Sequence, residues 1–128
     1  MLVIDKNYAD FSGLVKSISE RNIKEGKKVF HCEVNKFLEE FVVAIRNNTL
    51  ESFRELCKNY DELIVDGVEL LGEKFKTQEE IRSLIDFYTD NQKMVWILLS
   101  KHPNEIKEID PLLMDRVNNF GVILTFEQ

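Results

Sequence analysis

The strongest constraint on the fold lies mid-chain, where the apolar run Leu63-Ile64-Val65 is followed directly by Asp66. A continuous apolar run indicates a strand that is covered on both faces, as strands of parallel sheets are. Such a strand places the following carboxylate at its carboxyl end, where nucleotide-handling α/β proteins hold a phosphate-bound magnesium ion. The run therefore predicts a central strand of an α/β fold, with Asp66 at a candidate site.

Four other apolar runs predict further strands, and amphipathic stripes predict helices between them. The predicted strands are residues 2–4, 28–32, 63–65, 94–99 and 122–126, and the stripes fall at 11–18, 37–45, 50–60, 81–88 and 110–116. Asn48 and Thr77, each with a glutamate three residues later, are predicted helix caps, and Asp110 with Pro111 predicts another helix start. This order predicts a three-layer α/β sandwich, as a single domain over residues 1–128, with a five-stranded, mostly parallel sheet.

The length, net charge and residue content of the chain argue against several classes of protein. At 128 residues the chain is long enough for one core, and its net charge of −6 argues against broad binding to nucleic acid or to an anionic membrane. Cys32 and Cys57 lie in apolar patterns and are predicted to be reduced core residues of a cytoplasmic protein. No signal peptide or membrane-spanning run is expected. His31 is predicted to be a core or edge histidine of a strand, and His102 has no second His or Cys at metal-ligand spacing. No metal or other cofactor is predicted.

An ordered series of segments resembles the AAA+ ATPase core of the bacterial chromosomal replication initiator family, DnaA. The matching segments are Phe41-Val42-Val43-Ala44-Ile45-Arg46-Asn47-Asn48, Phe53-Arg54, Tyr60-Asp61-Glu62-Leu63-Ile64-Val65-Asp66, Lys74-Phe75-Lys76-Thr77-Gln78-Glu79-Glu80, His102-Pro103 and Asp115-Arg116. The resemblance covers roughly residues 28 to 127. It implies a P-loop NTPase-like, RecA-like core, in which Asp66 is the metal-facing acid of the acidic strand.

The departures from this family concern its ATP site. The family carries a glycine-rich loop ending in Gly-Lys-Thr after its first strand, where backbone N–H groups and the lysine hold phosphates. Here that region has only a displaced base, Lys6, and Ser12 at the metal-binding hydroxyl position. Gly67 replaces the second acid, Ser100 stands near the sensor position, and no residues are expected to form the helical lid. The resemblance therefore predicts degenerate ATPase motifs and no catalysis.

Three arginines match functional positions of the family. Arg116 aligns with the arginine finger that reaches the nucleotide of a neighbouring subunit, although Leu112 replaces the basic residue four positions earlier. Arg46 and Arg54 match the part that touches single-stranded DNA, but glutamates surround them, which weakens attraction for phosphates. A solvated arginine is the alternative interpretation for all three.

Three functions follow from these residues. The first is a non-catalytic protein-interaction module that caps or regulates an initiator or helicase-loader assembly, through a protein partner or self-association. The second is a divergent nucleotide-binding ATPase that uses Asp66. The third is a weak binder of single-stranded DNA through Arg46 and Arg54.

Overall fold

The computed structural model describes residues 2–5 and 12–125, with side chains from 13 to 120. The strands are β1 (Leu2–Asp5), β2 (Val29–Glu33), β3 (Glu62–Asp66), β4 (Met94–Leu99) and β5 (Gly121–Thr125). The helices are α1 (Ser12–Lys24), α2 (Val34–Arg46), α3 (Leu50–Lys58), α4 (Phe75–Asp90) and α5 (Pro111–Phe120). The predicted α/β class is confirmed, and the apolar runs located the strands closely. None of the helices in the described ranges is long and apolar enough to cross a membrane.

The strands form one sheet in the order β1-β5-β4-β3-β2, and every neighbouring pair is parallel. From β2 to β5 the chain steps one strand at a time in one direction, whereas the β1-to-β2 connection crosses the sheet in the other. Parallel connections are almost always right-handed, so opposite directions place their helices on opposite faces. Accordingly, α1 packs on one face, and α2, α3, α4 and α5 contribute to the core on the other.

Strand β3 has the double coverage that its sequence predicted. Leu63, Ile64 and Val65 are all 0% exposed. Leu63 and Val65 belong to the large core formed with α2 to α5, whereas Ile64 packs with Ile18 of α1. Because successive strand residues point to opposite faces, only a strand covered on both sides needs three consecutive apolar residues.

The start of α4 corrects the cap predicted at Thr77. The helix begins at Phe75, and Thr77 is buried in its first turn. The neighbouring Gln78 is buried in the same turn, and its Nε2 donates to the carbonyl oxygens of Gly72 at 2.7 Å and Glu108 at 2.9 Å. Its Oε1 also accepts from the Asp110 backbone N–H at 2.6 Å. This buried amide joins the loop before α4 to the loop before α5, and contacts 30 and 32 residues away leave no capping pattern in the sequence.

The other two predicted helix starts differ in outcome. Helix α3 begins after Thr49, and the predicted cap Asn48 instead adopts a left-handed φ of 56° in the turn between α2 and α3. The Asp110 prediction is confirmed, because its Oδ2 accepts from the backbone N–H groups of Leu112 at 3.0 Å and Leu113 at 3.1 Å. Asn tolerates the left-handed region better than most residues, which makes it a turn residue as readily as a cap.

A buried carboxylate ties α1 to the sheet. Glu62, at the start of β3, is 5% exposed. Both of its oxygens accept from Arg21 Nη2 of α1 at 2.7 Å, and Oε2 accepts from Trp96 Nε1 at 2.6 Å. Asn22 Nδ2 adds a longer hydrogen bond to Oε1 at 3.2 Å. Helix α1 covers this face of the sheet, and its apolar contact through Ile18 is small. The polar contacts of Glu62 therefore help to attach α1 to the sheet.

The cysteines are free and buried, as predicted, and they give the fold a dependence on alkaline pH. Burial, followed by the charges of Glu40 and Glu80, raises the pKa of the Cys57 thiol from 9.0 to about 11. The folded protein therefore holds this proton more tightly than the unfolded chain does. The resulting stability is complete below pH 9 and is lost as the pH rises towards 11. Burial also raises the pKa values of Cys32 and Tyr88, with the same sign.

We therefore expect the free energy of unfolding, measured by urea titration, to decline between pH 9 and about pH 11. In Cys57→Ala the decline over this interval should be shallower, whatever the cost of the lost side chain at neutral pH. The slope with pH is the informative quantity. An unchanged slope would mean that Cys57 does not titrate with unfolding.

Candidate nucleotide site and interaction edge

Asp66 lies at the carboxyl end of β3, where its sequence position predicted it. Its side chain is 31% exposed and is paired with His31, whose Nε2 lies 3.2 Å from Asp66 Oδ2. His31 stands beside Ile64 in the register of β2 with β3, two residues before Asp66 on the same face. This diagonal arrangement brings the imidazole to the carboxylate from the edge strand. The acid that would face a metal ion therefore already has a partner within the chain.

Gly67, where the resemblance implies a second acid, has a backbone that disfavours one. Its φ of 98° lies in the left-handed region. A Cβ at this position would stand 3.0 Å from Val34 Cγ2 and 3.3 Å from Leu70 Cδ1. Val34 is fully buried at the start of α2, so it has little room to move. The conformation and packing of the turn after β3 therefore favour glycine at position 67.

Ser100, near the predicted sensor position, contacts the same turn. Its Oγ donates to Glu69 Oε1 at 2.9 Å, which links the end of β4 to the 3₁₀ turn Val68–Leu70. The second oxygen, Glu69 Oε2, is buried and has no hydrogen-bond partner among the described residues. This serine therefore faces a carboxylate, a setting that disfavours a phosphate.

The predicted phosphate-loop residues are only partly described. Lys6 lies outside the described residues, and Ser12 is the first residue of α1, with its side chain outside them. The preceding strand, β1, lies at the edge of the sheet, three strand positions from β3. At ordinary strand spacing this separates their ends by about 14 Å. Within the described ranges no group of three or more His, Cys, Asp or Glu side chains is placed to hold a metal ion.

Arg116, the predicted finger, is held by acids of its own chain. Its Nε and Nη2 donate to the two carboxylate oxygens of Asp86 at 2.7 and 3.2 Å, and Nη1 donates to Asp115 at 2.7 Å. The side chain is 25% exposed. The hydrogen bonds that Asp86 accepts raise the pKa of Arg116 above its usual value. Arg82 donates to the same carboxylate from α4 at 3.3 Å. Asp86 was not singled out in the sequence, although its spacing of four from Arg82 is a helix-pair signal.

The two arginines proposed for DNA contact differ in their surroundings. Arg54 forms a two-point ion pair with Glu80, from Nε at 3.0 Å and Nη2 at 2.9 Å, and also reaches Glu51 at 3.2 Å. These hydrogen bonds raise its pKa. Arg46 is exposed in the last turn of α2, without an ion pair in the described part of the chain. The structure therefore does not present them as a matched pair of free cations.

Comparison with known proteins shows the family of this chain. The family model described as the bacterial DnaA ATPase domain matches residues 12–125. The chain belongs to the DnaA ATPase-domain family. It is 30% identical over 103 residues to the chromosomal replication initiator protein DnaA of Wolinella succinogenes, covering 80% of this chain and 24% of that protein. The DnaA of Pelobacter propionicus is 32% identical over 96 residues, covering 75% and 21%.

A solved structure supports the same fold. The replication initiator DnaA bound to AMPPCP and single-stranded DNA superposes with a TM-score of 0.85, covering 99% of this chain and 41% of that one, at 19% identity. This likeness establishes the AAA+ core fold of DnaA. The chain spans about a quarter or less of the length of the two curated DnaA relatives. The activities of those whole proteins therefore do not transfer to it directly.

Proposed function

We propose that this DnaA-type domain is a non-catalytic interaction module, which docks on a replication initiator or helicase-loader assembly and regulates it. Family membership supports a role in replication initiation. One observation carries the proposal that the domain is non-catalytic: the turn after Asp66 has glycine in place of the second acid that would polarise the attacking water, and a Cβ there would stand only 3.0 Å from Val34 Cγ2. A cytoplasmic location, predicted from the sequence, is part of the same proposal.

The pairing of Asp66 supports this proposal. A magnesium ion bound between Asp66 and a nucleotide would have to displace the imidazole of His31, which lies 3.2 Å from the carboxylate. The edge position of β1 further separates the start of the candidate phosphate segment from this acid. Both features make a productive metal–nucleotide site harder to assemble. The divergent-ATPase alternative requires that these contacts rearrange when ATP binds.

In this proposal docking uses Arg116. AAA+ cores associate so that an arginine of one subunit reaches the nucleotide bound to the next subunit. There the arginine contacts the negatively charged phosphates, both before the reaction and in its transition state. In the isolated chain Asp86 and Asp115 occupy three of its nitrogen atoms. A phosphate in a partner's site would have to compete with Asp86, so the Asp86 carboxylate sets how readily the finger is released.

Arg116→Ala is expected to weaken binding to a full-length DnaA initiator, such as that of Wolinella succinogenes loaded with AMPPCP, by about tenfold or more. Biolayer interferometry measures the dissociation constant. Arg82→Ala is the matched control, because Arg82 also pairs with Asp86 but lies on α4, and its effect should stay within about twofold. Asp86→Asn should strengthen docking by weakening the competing pair.

The outcomes separate the parts of this proposal. No binding of the unmodified chain to any nucleotide state of the initiator would remove the docking function. Binding that survives Arg116→Ala would keep a docking function but reject the finger. Equal losses in Arg116→Ala and Arg82→Ala would assign the effect to the α4–α5 packing around Asp86.

The DNA-binding alternative receives less support. The guanidinium of Arg54 is already neutralised by Glu80. Helices α2 and α3, which carry the two arginines, also expose Glu39, Glu40 and Glu55. Unpaired carboxylates repel phosphates, and the net charge of −6 adds to that repulsion.

A further inference from the structure

Exposed apolar side chains concentrate on α2 and α3. Nine large apolar residues are exposed among the described residues, and four of them lie on these two helices. They are Val42, Val43, Ile45 and Leu56, with exposures of 36, 51, 48 and 68%. Scattered single apolar residues are ordinary on a protein surface, but a concentration on two adjacent helices indicates an interaction site.

Two of these residues line a groove between the helices. Val43 and Leu56 form its sides, and Ala44 and Phe53 lie deeper, around a volume of about 500 Å³. The groove floor is firmly supported, because the ring of Phe53 lies 5.3 Å from that of Phe37 and 6.4 Å from that of Phe41, between ring centroids. A preformed apolar groove on rigid helices lowers the ordering cost of binding.

The border of the groove is acidic. Glu39 and Glu40 line it on the α2 side, and Glu55, which does not line the groove itself, is a further acid on the surface of α3 beside Leu56 in the sequence. All three are exposed, and none forms an ion pair within the described part of the chain. The nearby cation Arg54 is directed to Glu80 instead. An apolar centre with a charged border of one sign selects a partner by complementary charge.

We propose that the α2–α3 groove binds an amphipathic helix of a partner protein, with apolar side chains in the groove and lysines or arginines at its border. Helix-in-groove recognition uses anchors at positions i, i+3 or i+4, and i+7, which suits a groove between two helices. A second copy of this chain is disfavoured as the occupant, because its own net charge is −6. Nucleic acid is disfavoured by the same glutamates. This surface lies on helices other than α5, which carries Arg116, and does not depend on the docking proposed there.

The probe is a synthetic 18-residue amphipathic peptide (roughly five helical turns) of leucine and lysine. A peptide with glutamate in place of lysine serves as the control ligand. Titration at about 150 mM salt, followed by ¹H–¹⁵N correlation spectra, should place the shifts of the lysine peptide on α2 and α3. The glutamate peptide should give none.

Matched variants test whether the groove itself is responsible. Val43→Ser with Leu56→Ser should weaken peptide binding by about tenfold or more, whereas Ile23→Ser with Met94→Ser, two exposed apolar residues elsewhere, should change it by less than about twofold. Glu39→Lys with Glu40→Lys should abolish most binding, whereas Glu73→Lys with Glu79→Lys makes the same change in net charge and should not. All these side chains are exposed, so melting temperatures should confirm that each variant folds.

Other outcomes would overturn the proposal. Equal effects of groove and control variants would reduce the interaction to general attraction between a cationic peptide and an acidic protein. Shift changes centred outside α2 and α3 would reject the groove. Concentration-dependent dimerisation that Val43→Ser with Leu56→Ser abolishes would assign the groove to a second copy. A single-stranded oligonucleotide that binds there, with an affinity that falls steeply with salt, would assign it to nucleic acid.

Discussion

Gly67→Asp is expected to lower the free energy of unfolding by about 2–4 kcal/mol and to leave the protein without ATPase activity. The loss combines a side chain forced into a left-handed φ of 98° with a Cβ placed 3.0 Å from the buried Val34. Urea titration measures the first effect. Phosphate release from millimolar MgATP measures the second.

Gly26→Asp is the matched control. Gly26 also has a left-handed φ, 72°, but a Cβ there would meet nothing within 4 Å. Gly26→Asp should therefore lower the free energy of unfolding only by the cost of the left-handed backbone conformation, about 1 kcal/mol. The difference between the two variants measures the contacts with Val34 and Leu70, together with the effect of the larger φ at position 67.

The unmodified chain and Gly67→Asp together test the divergent-ATPase alternative. A nucleotide at a hundred times its dissociation constant would raise stability by about 2.7 kcal/mol, which is a visible thermal shift. We expect no shift at millimolar MgATP for either the unmodified chain or Gly67→Asp. If Gly67→Asp folded with unchanged stability and hydrolysed ATP, the interpretation of this turn as incompatible with catalysis would be wrong.

Glu62→Ala is expected to cost about 2–4 kcal/mol, because it removes the shared acceptor of Arg21, Trp96 and Asn22. The carboxylate is almost fully buried, whereas Arg21 is 44% exposed at its side chain, so the arginine can regain water after the change. Most of the loss therefore comes from the indole N–H of Trp96, because the amide of Asn22 still donates to the carbonyl oxygen of Ile18 at 2.8 Å.

Hydrogen exchange distinguishes a local from a global effect. Glu62 links α1 to β3 and β4, so the amides of α1 should lose protection more than those of α4. Glu73→Ala, at an exposed glutamate, should change stability by no more than about 0.5 kcal/mol. Uniform loss of protection across both helices would mean that the cluster supports the whole fold, not the attachment of α1.

Much of the fold could be predicted from local patterns. The run Leu63-Ile64-Val65 needs cover on both faces, and the structure provides it with α1 on one side and the larger helical layer on the other. The Asp110 cap was also predictable, because it depends only on the next few backbone N–H groups. The predicted cap at Thr77 was wrong: α4 begins at Phe75, so Thr77 is buried in the first turn, beside a glutamine that contacts Glu108, 30 residues away.

By itself, the sequence determined the order of strands and helices, the membership of the DnaA ATPase-domain family, and the absence of an acid at position 67. The tertiary structure alone decided the partners of the candidate functional charges: Asp66 with His31, Arg116 with Asp86, and Arg54 with Glu80. These partners are 35, 30 and 26 residues apart along the chain. Local periodicity carries no information on such pairs, because they form only when helices and strands pack. That packing made two of the predicted arginine contacts into ion pairs within the chain, and left an acidic groove on α2 and α3 where DNA contact had been considered.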